Sequence, residues 1–366
     1  MDIIDVRRLK SPDEYAAATR RVLGPFLLPL SALYAAGMSL WRSIPFKPVN
    51  AGVPVVSVGS LAVGGTGKTP VCMHIAGRFR DLGHRVCVLS RGYRRRSDRS
   101  PLVVSDGFRT MAGVEAAGDE PYMMAKELQE VGVVVGKDRL AAAAVARDEL
   151  GAELLVLDDG FQVRNLARQV DVLCFDGDSF HRPNTLLPWG SLREGWSALK
   201  PEHLVVVVLR HGVSPPFRTE LARLGGARVF YAERSAPIVT DIHGERIDGD
   251  TLAKGRFTLV SGIARPGSFE SSCSGTAATI PVSVRFRDHH WYREGDAAII
   301  KEIVDRYGCT GILTTEKDIW KLPAALLEIS LILRTQLDFL DAGGFWENLD
   351  EKLGVGKCLP KNRTSL

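Results

Sequence analysis

The stretch Ala62-Val63-Gly64-Gly65-Thr66-Gly67-Lys68-Thr69 constrains this chain more than any other feature in it. It directly follows the apolar, β-branched run VPVVSVG (53–59) and opens a helical pattern from Pro70 to about Leu82, which Gly83 stops. Glycines let backbone N–H groups curve around phosphate oxygens, and the amino end of a helix favours negative charge. In a Walker A loop of this form, here with Ala in place of the first Gly, Lys68 reaches the β- and γ-phosphates and the Thr69 hydroxyl can ligate Mg²⁺. The alternative is an ordinary Gly-rich turn, and the strand–loop–helix setting argues against it. Gly64, Gly65, Thr66, Gly67, Lys68 and Thr69 are therefore the expected nucleotide-binding residues.

The surrounding pattern agrees with such a loop. Apolar runs recur at 85–90, 131–136, 153–159, 170–176 and 203–209, separated by helical patterns. Strands apolar on both faces that alternate with helices predict a doubly wound, mostly parallel α/β sheet of the P-loop NTPase type. RVFYAER (228–234) precedes a second series at 255–263, 279–286, 310–316 and 330–336, which predicts a second, smaller α/β domain, with a hairpin or linker at 239–247. The expected division is an N-terminal segment 1–50, a nucleotide-binding domain 51–235, and a second domain 236–366 that completes the catalytic cleft. The run LLVLDD (154–159) is the natural Walker B partner, a buried strand ending in Asp158 and Asp159 where Mg²⁺ would sit; an acidic turn is its plainer reading.

With 366 residues, 45% apolar and 25% charged, the chain is long enough for two domains and average for a folded protein. A formal charge of +4 does not argue for nucleic acid. The six cysteines are scattered without C-x-x-C or zinc-ligand spacing, which fits a reducing compartment.

Residues 22–41, VLGPFLLPLSALYAAGMSLW, carry no charge, and Arg20, Arg21 and Arg42 bracket them. Pro25, Pro29 and similar charge on both sides weaken a spanning helix. From Pro29 on, Leu30, Leu33, Tyr34, Met38 and Trp41 recur on one helical face, with Ser31, Ala35 and Ser39 on another. An amphipathic helix over about 22–42 is expected, lying in a membrane interface; a core-packed helix and a true span are the alternatives.

Further short motifs occur in a fixed order: GSLAVGGTGKTP (59–70), LSRGYRR (89–95), GDEPYMMA (118–125), LDDGFQ (157–162), LLPWGSLRE (186–194), SGIARPGSF (261–269), RDHH (287–290) and TEKD (315–318). Each is weak alone, but together they resemble the tetraacyldisaccharide 4'-kinase family, the lipid A 4'-kinases of Gram-negative bacteria. The resemblance implies an ATP-dependent, Mg²⁺-requiring kinase that phosphorylates the 4'-hydroxyl of a tetraacylated disaccharide 1-phosphate. It also implies a peripheral or monotopic enzyme at the cytoplasmic face of the inner membrane. Its partners would be the acylated lipid and the anionic membrane surface, with no nucleic acid and no obligate protein partner.

By the same resemblance Lys68 and Arg193 act on the phosphates, and Thr69, Asp158, Asp159 and Glu194 surround the metal. Asp119 in GDEP and His289 in RDHH resemble the catalytic dyad. From the residues alone, Asp119 reads first as a helix N-cap, His289 as a core or surface histidine or part of an incomplete metal site, and Arg193–Glu194 as a loop ion pair. The basic loop with Arg91, Tyr93, Arg94 and Arg95 is a candidate substrate or membrane contact, against a plain solvated loop.

Two positions depart from the family pattern, Val163 where His is usual after the DDGxQ motif and Gly195 where Pro is usual. His181, His203, His211 and His243 belong to no motif. The runner-up reading is a membrane-associated P-loop switch that binds nucleotide and a protein partner. It lacks a guanine-recognition motif, since Thr315-Glu316-Lys317-Asp318 has the wrong order.

Overall fold

The computed structural model describes the chain outside residues 7–11, 178–184, 210–225 and 355–366, and describes residues 12–26 by their backbone alone. The chain divides into two compact units, Met1–Ala18 with Ser235–Gln336, and Thr19–Arg234 with Leu337–Leu366. Strand β1 (Asp2–Asp5) and helix α1 (Pro12–Ser43) open it.

In the larger unit follow β2 (Val55–Gly59), α2 (Lys68–Asp81), β3 (Val86–Ser90), β4 (Leu102–Asp106), α3 (Val114–Ala117), α4 (Asp119–Glu127), β5 (Gly132–Val135), α5 (Arg139–Asp148), β6 (Leu154–Asp158), β7 (Val170–Asp176), β8 (Leu204–Leu209) and β9 (Arg228–Arg234). A late return adds β15 (Leu337–Phe339) and α10 (Ala342–Leu353). The sheet order is β15-β9-β8-β7-β2-β6-β3-β5-β4, parallel except for the two edge pairs, β15 with β9 and β4 with β5. The central strands are covered on both faces, so β8 reads LVVVVL with all six residues buried. Helix α2 buries Val71, Cys72, Ile75, Ala76 and Phe79 on one stripe. Truncating a buried Phe such as Phe79 to Ala costs about 3–5 kcal/mol. Arg78 forks onto Asp350 at 2.9 and 2.8 Å and stacks on Trp346, fastening α10 to α2.

The smaller unit adds β10 (Ile238–Thr240), α6 (Gly249–Lys254), β11 (Arg256–Ser261), α7 (Pro266–Cys273), β12 (Thr279–Arg285), α8 (Glu294–Arg306), β13 (Gly311–Thr315), α9 (Ala324–Leu327) and β14 (Ser330–Arg334). Its sheet order is β1-β12-β11-β13-β14-β10, with only the β10–β14 pair antiparallel. Helix α8 buries Ala297, Ile300, Ile303 and Val304 in the core that also holds Val260, Val284 and Phe286. Glu270 on α7 is gripped by Arg285 at 2.7 and 2.6 Å and by Ser283 at 2.6 Å, binding that helix to β12.

The α/β class with parallel sheets agrees with the sequence expectation. The division of the chain differs from it. Residues from Leu337 on belong to the larger unit, because β15 pairs with β9 and α10 packs on α2, and Met1–Ala18 belongs to the smaller, because β1 extends its sheet beside β12.

Helix α1 starts earlier than expected, at Pro12, and its polarity differs from the expected faces. Ser31 is the buried residue of its described side chains; its hydroxyl donates to the Leu186 carbonyl at 3.1 Å and accepts from Trp189 N at 2.9 Å. Tyr34 donates to the Arg193 carbonyl at 2.9 Å, and Ala35 and Met38 are half-buried on the same side. Leu28, Leu30, Leu33, Leu40 and Trp41 are exposed, Leu33 by 71% and Leu40 by 68%. Tyr34 and Met38 thus sit on the protein side, apart from Leu30, Leu33 and Trp41. Among the described residues no helix is long and apolar enough to cross a membrane.

Candidate functional site

Strands β2, β6 and β3 lie side by side and parallel, so their carboxyl ends come together at one sheet edge, where open α/β sheets bind ligands. From β2 the chain enters the glycine loop and turns into α2 at Gly67. That residue has φ +83°, and a Cβ there would meet Val208 Cγ2 at 2.6 Å, so backbone conformation and space both demand glycine. Lys68, the first residue of α2, extends back over the loop, its Nζ 3.4 Å from Gly64 O, 3.3 Å from Thr66 Oγ1 and 3.7 Å from Asp159 Oδ1. Gly64 and Gly65 are exposed, Thr66 and Gly67 are buried, and Thr69 is half-buried on the first turn.

A second segment lies along this loop. Val63 N donates to Ser191 O at 2.8 Å and Arg193 N to Leu61 O at 2.7 Å. That pairing delivers Arg193 to Asp159, which it holds by two hydrogen bonds of 3.0 and 2.8 Å. Asp159 has φ +52°, a left-handed conformation Asp tolerates better than most residues. Burial pushes its carboxyl up, but the Arg193 hydrogen bonds and the Lys68 and Arg193 charges outweigh this and hold it below the usual range. Glu194 is buried, its Oε1 accepting from Gln162 Nε2 at 2.9 Å and its Oε2 from Arg42 of α1.

Asp158 differs from both. It is buried, its Oδ2 accepts from Ser90 Oγ at 3.2 Å, and its Oδ1 has no hydrogen-bond partner. Burial first, then the Glu120 and Asp159 carboxylates, push it up to about 7, against Lys68 and Ser90. A buried carboxylate oxygen with no donor is open to a hard cation, and Mg²⁺ takes one or two carboxylates beside phosphate oxygens. The donor set fits that ion.

Asp119 is the first residue of α4 and buried; the N-cap position belongs to Gly118, and no side chain caps the helix. Its Oδ1 accepts from Glu120 N at 3.1 Å. The RGYRR loop lies against the Gly118 backbone, where a Cβ would sit 3.1 Å from Tyr93 O. Arg91, Tyr93 and Arg94 are exposed, Arg94 carrying its guanidinium 5.4 Å from the Tyr93 ring centre, while Arg95 is half-buried.

In the smaller unit His289 follows β12 with φ +59° and its side chain 11% exposed. His290 turns elsewhere, stacking on Phe286 and meeting Asp296 Oδ2 at 3.0 Å, so RDHH does not gather its histidines around a metal. Val163 packs on an apolar cluster, and Gly195 has φ −67° and ψ 161°, the conformation of proline. His203 accepts from Lys200 N and His243 lies in a turn; His181 and His211 are outside the described residues.

Sequence reasoning assigned no role to Ser90, Gln162, Arg42 or Arg139. Arg139 is buried at the start of α5 and donates to Gly136 O; burial pushes it down to about 10 while the Asp158 and Asp159 charges support it. A lone Arg after a strand carries no local signal, and only the β5–β3–β6 pairing sets its charge beside the two aspartates.

Fold and loop define a P-loop α/β protein whose sheet edge gathers Lys68, Arg193 and Arg139 around two carboxylates. Comparison with known proteins narrows the class. The family model LpxK, tetraacyldisaccharide-1-P 4'-kinase, matches residues 23–354. Relatives named tetraacyldisaccharide 4'-kinase include one from Anaeromyxobacter sp. (strain Fw109-5), 37% identical over 93% of this chain and 94% of its own, and one from Geobacter sulfurreducens, 32% identical over 95% and 98%. A crystal structure of "apo" form LpxK from Aquifex aeolicus in complex with ATP superposes with a TM-score of 0.72 at 28% identity, covering 91% of this chain and 99% of that one. The chain belongs to the tetraacyldisaccharide-1-P 4'-kinase family.

Proposed function

We propose that this protein transfers the γ-phosphoryl group of ATP to the 4'-hydroxyl of a tetraacylated disaccharide 1-phosphate in lipid A biosynthesis. The observation that carries the site assignment is the convergence of Lys68 and Arg193 on Asp159 at the phosphate loop, beside a buried Asp158 oxygen with no donor. Phosphoryl transfer is mostly positioning and charge stabilisation, and these groups supply both.

In this reading the glycine-loop N–H groups and Lys68 hold the β- and γ-phosphates, and Arg193 stabilises charge on the transferring group. Thr69 and Asp158 would hold Mg²⁺, which would supply further positive charge against the phosphates; Asp159 and Glu194 are engaged by arginines and orient the surroundings. Asp119 accepts the proton of the attacking hydroxyl with assistance from His289, roles that rest on the family motifs. The outward apolar residues of α1 bring the enzyme to the anionic membrane surface that holds its acylated substrate, and Arg91, Tyr93, Arg94 and Arg95 contact headgroup or substrate phosphate.

The test is transfer of labelled γ-phosphate to tetraacyldisaccharide 1-phosphate in detergent with Mg²⁺. Wild type labels the lipid, Lys68→Ala abolishes labelling, and Asp119→Ala or His289→Ala reduces kcat by about 10²–10⁴-fold without comparable loss of ATP affinity. A folded wild type that binds ATP and labels no lipid overturns the reading.

A further inference from the structure

The TEKD segment, like SGIARPGSF, is a motif to which the proposed reaction gives no task. It leaves β13 as Thr315-Glu316-Lys317-Asp318, and Asp318 is completely buried. Asp318 Oδ2 accepts from Gly262 N at 2.9 Å and Thr315 Oγ1 at 2.9 Å, and its Oδ1 lies 2.8 Å from the equally buried Lys321 ammonium. The same Gly262 accepts from His289 N at 3.0 Å. A Cβ on Gly262 would meet Tyr292 Oη at 3.0 Å, Arg287 O at 3.1 Å and His290 Cβ at 3.2 Å, so a side chain in the SGI turn would push RDHH back by a few tenths of an ångström. Asp318 therefore fixes Gly262, and Gly262 fixes the backbone of a residue held at φ +59°. Non-glycine residues persist there where their surroundings over-determine them.

The ring is held by the same segment. Lys317 Nζ is 3.4 Å from His289 Nε2, and Asp288 Oδ2 is farther, at 3.7 Å. An ammonium has protons to give and no lone pair to offer, so the nitrogen facing it acts as the acceptor. The hydrogen bond at one imidazole nitrogen decides which carries the proton.

We propose that the Thr315–Asp318 turn is the positioning device of His289: Asp318, through Gly262, sets its backbone, and Lys317 holds Nε2 as an acceptor so that the ring proton resides on Nδ1. That leaves Nδ1–H as a donor able to orient a carboxylate. The proposal deepens the assignment of His289 to catalysis and rests on it.

The experiment uses the full chain labelled with ¹⁵N-histidine, with the His289 signals assigned by difference from His289→Gln. The wild-type ring shows Nδ1 protonated and Nε2 unprotonated. In Lys317→Met the proton shifts toward Nε2, kcat falls roughly tenfold or more, and KM for ATP is unchanged. Lys317→Arg, which also only donates, restores most of the rate and the wild-type tautomer. Asp318→Asn weakens the backbone tether, and the melting temperature shows whether its loss of rate is more than unfolding. An unchanged tautomer in Lys317→Met overturns the proposal, as does an unchanged kcat where His289→Ala is slow. If His289→Ala leaves the rate intact, it is the catalytic assignment of His289 that fails, and the ¹⁵N spectra still judge the positioning by themselves.

Discussion

Arg193 closes on Asp159 with both terminal nitrogens, at 3.0 and 2.8 Å, while its Nη2 also donates to the Ala62 carbonyl at 3.3 Å. One side chain thus ties the end of β6 to the phosphate loop. A lysine cannot reproduce the fork. Arg193→Lys is expected to lower kcat by about 10²-fold or more while ATP affinity changes far less. Initial rates beside equilibrium nucleotide binding check this; equal losses in both would make Arg193 a ground-state binder.

In its proposed metal role Asp158 gives up stability. Its buried charge has one hydrogen bond from Ser90 and none at Oδ1, so Asp158→Asn removes a desolvated anion. The metal-free protein should become more stable, by about 1 kcal/mol or more, while the Mg²⁺ concentration for half-maximal rate rises at least about tenfold. Thermal melts in chelator and Mg²⁺ titrations of the rate measure the two effects. A less stable variant would mean that the carboxylate serves the fold.

Acid should loosen the smaller unit through Glu270. Burial pushes this carboxyl up, but the hydrogen bonds from Arg285 and Ser283 and the Arg285 charge reverse that and hold it below the usual range. The folded state is then the weaker proton binder. Glu270 contributes its full stability above the unfolded value of about 4.3 and loses it as pH falls through the lower folded value. Urea midpoints from pH 6 to 3 should drop for wild type, and Glu270→Gln, less stable at pH 7, should show a shallower drop.

Leu33 and Leu40 on α1 are mostly exposed and have little packing to lose. The double change to glutamate should leave stability within about 0.5 kcal/mol and reduce sedimentation with anionic vesicles several-fold. Unchanged vesicle binding would remove α1 from the membrane contact.

The parallel strands were legible because a strand covered on both faces must be a continuous apolar run, as in the LVVVVL of β8. The edge strands were not. β4 is half-exposed, and β1 and β15 are four and three residues long, too short to carry a period. The phosphate loop announced itself because its glycines are demanded locally, Gly67 doubly so. Arg139 could not be found this way, since neighbouring strands alone bring it to the site, and Gln162, though local in LDDGFQ, shows its partner Glu194 only in the fold. The stripe on α1 was visible in the sequence, but which side meets protein is decided by Ser31 and its partners at Leu186 and Trp189, far along the chain. Boundaries failed at Leu337 for the same reason, because nothing local says that a three-residue strand belongs beside β9.

That late return of β15 has a consequence for synthesis. Strand β9 is complete at Arg234, yet the neighbour that pairs with its last three residues begins at Leu337, opposite Arg234. At roughly 5–20 residues per second the ribosome takes about 5–20 s to cross that gap, and throughout it the nascent sheet offers an open row of backbone donors and acceptors. Until Leu337–Phe339 emerges, pairing of that edge with another chain competes with folding.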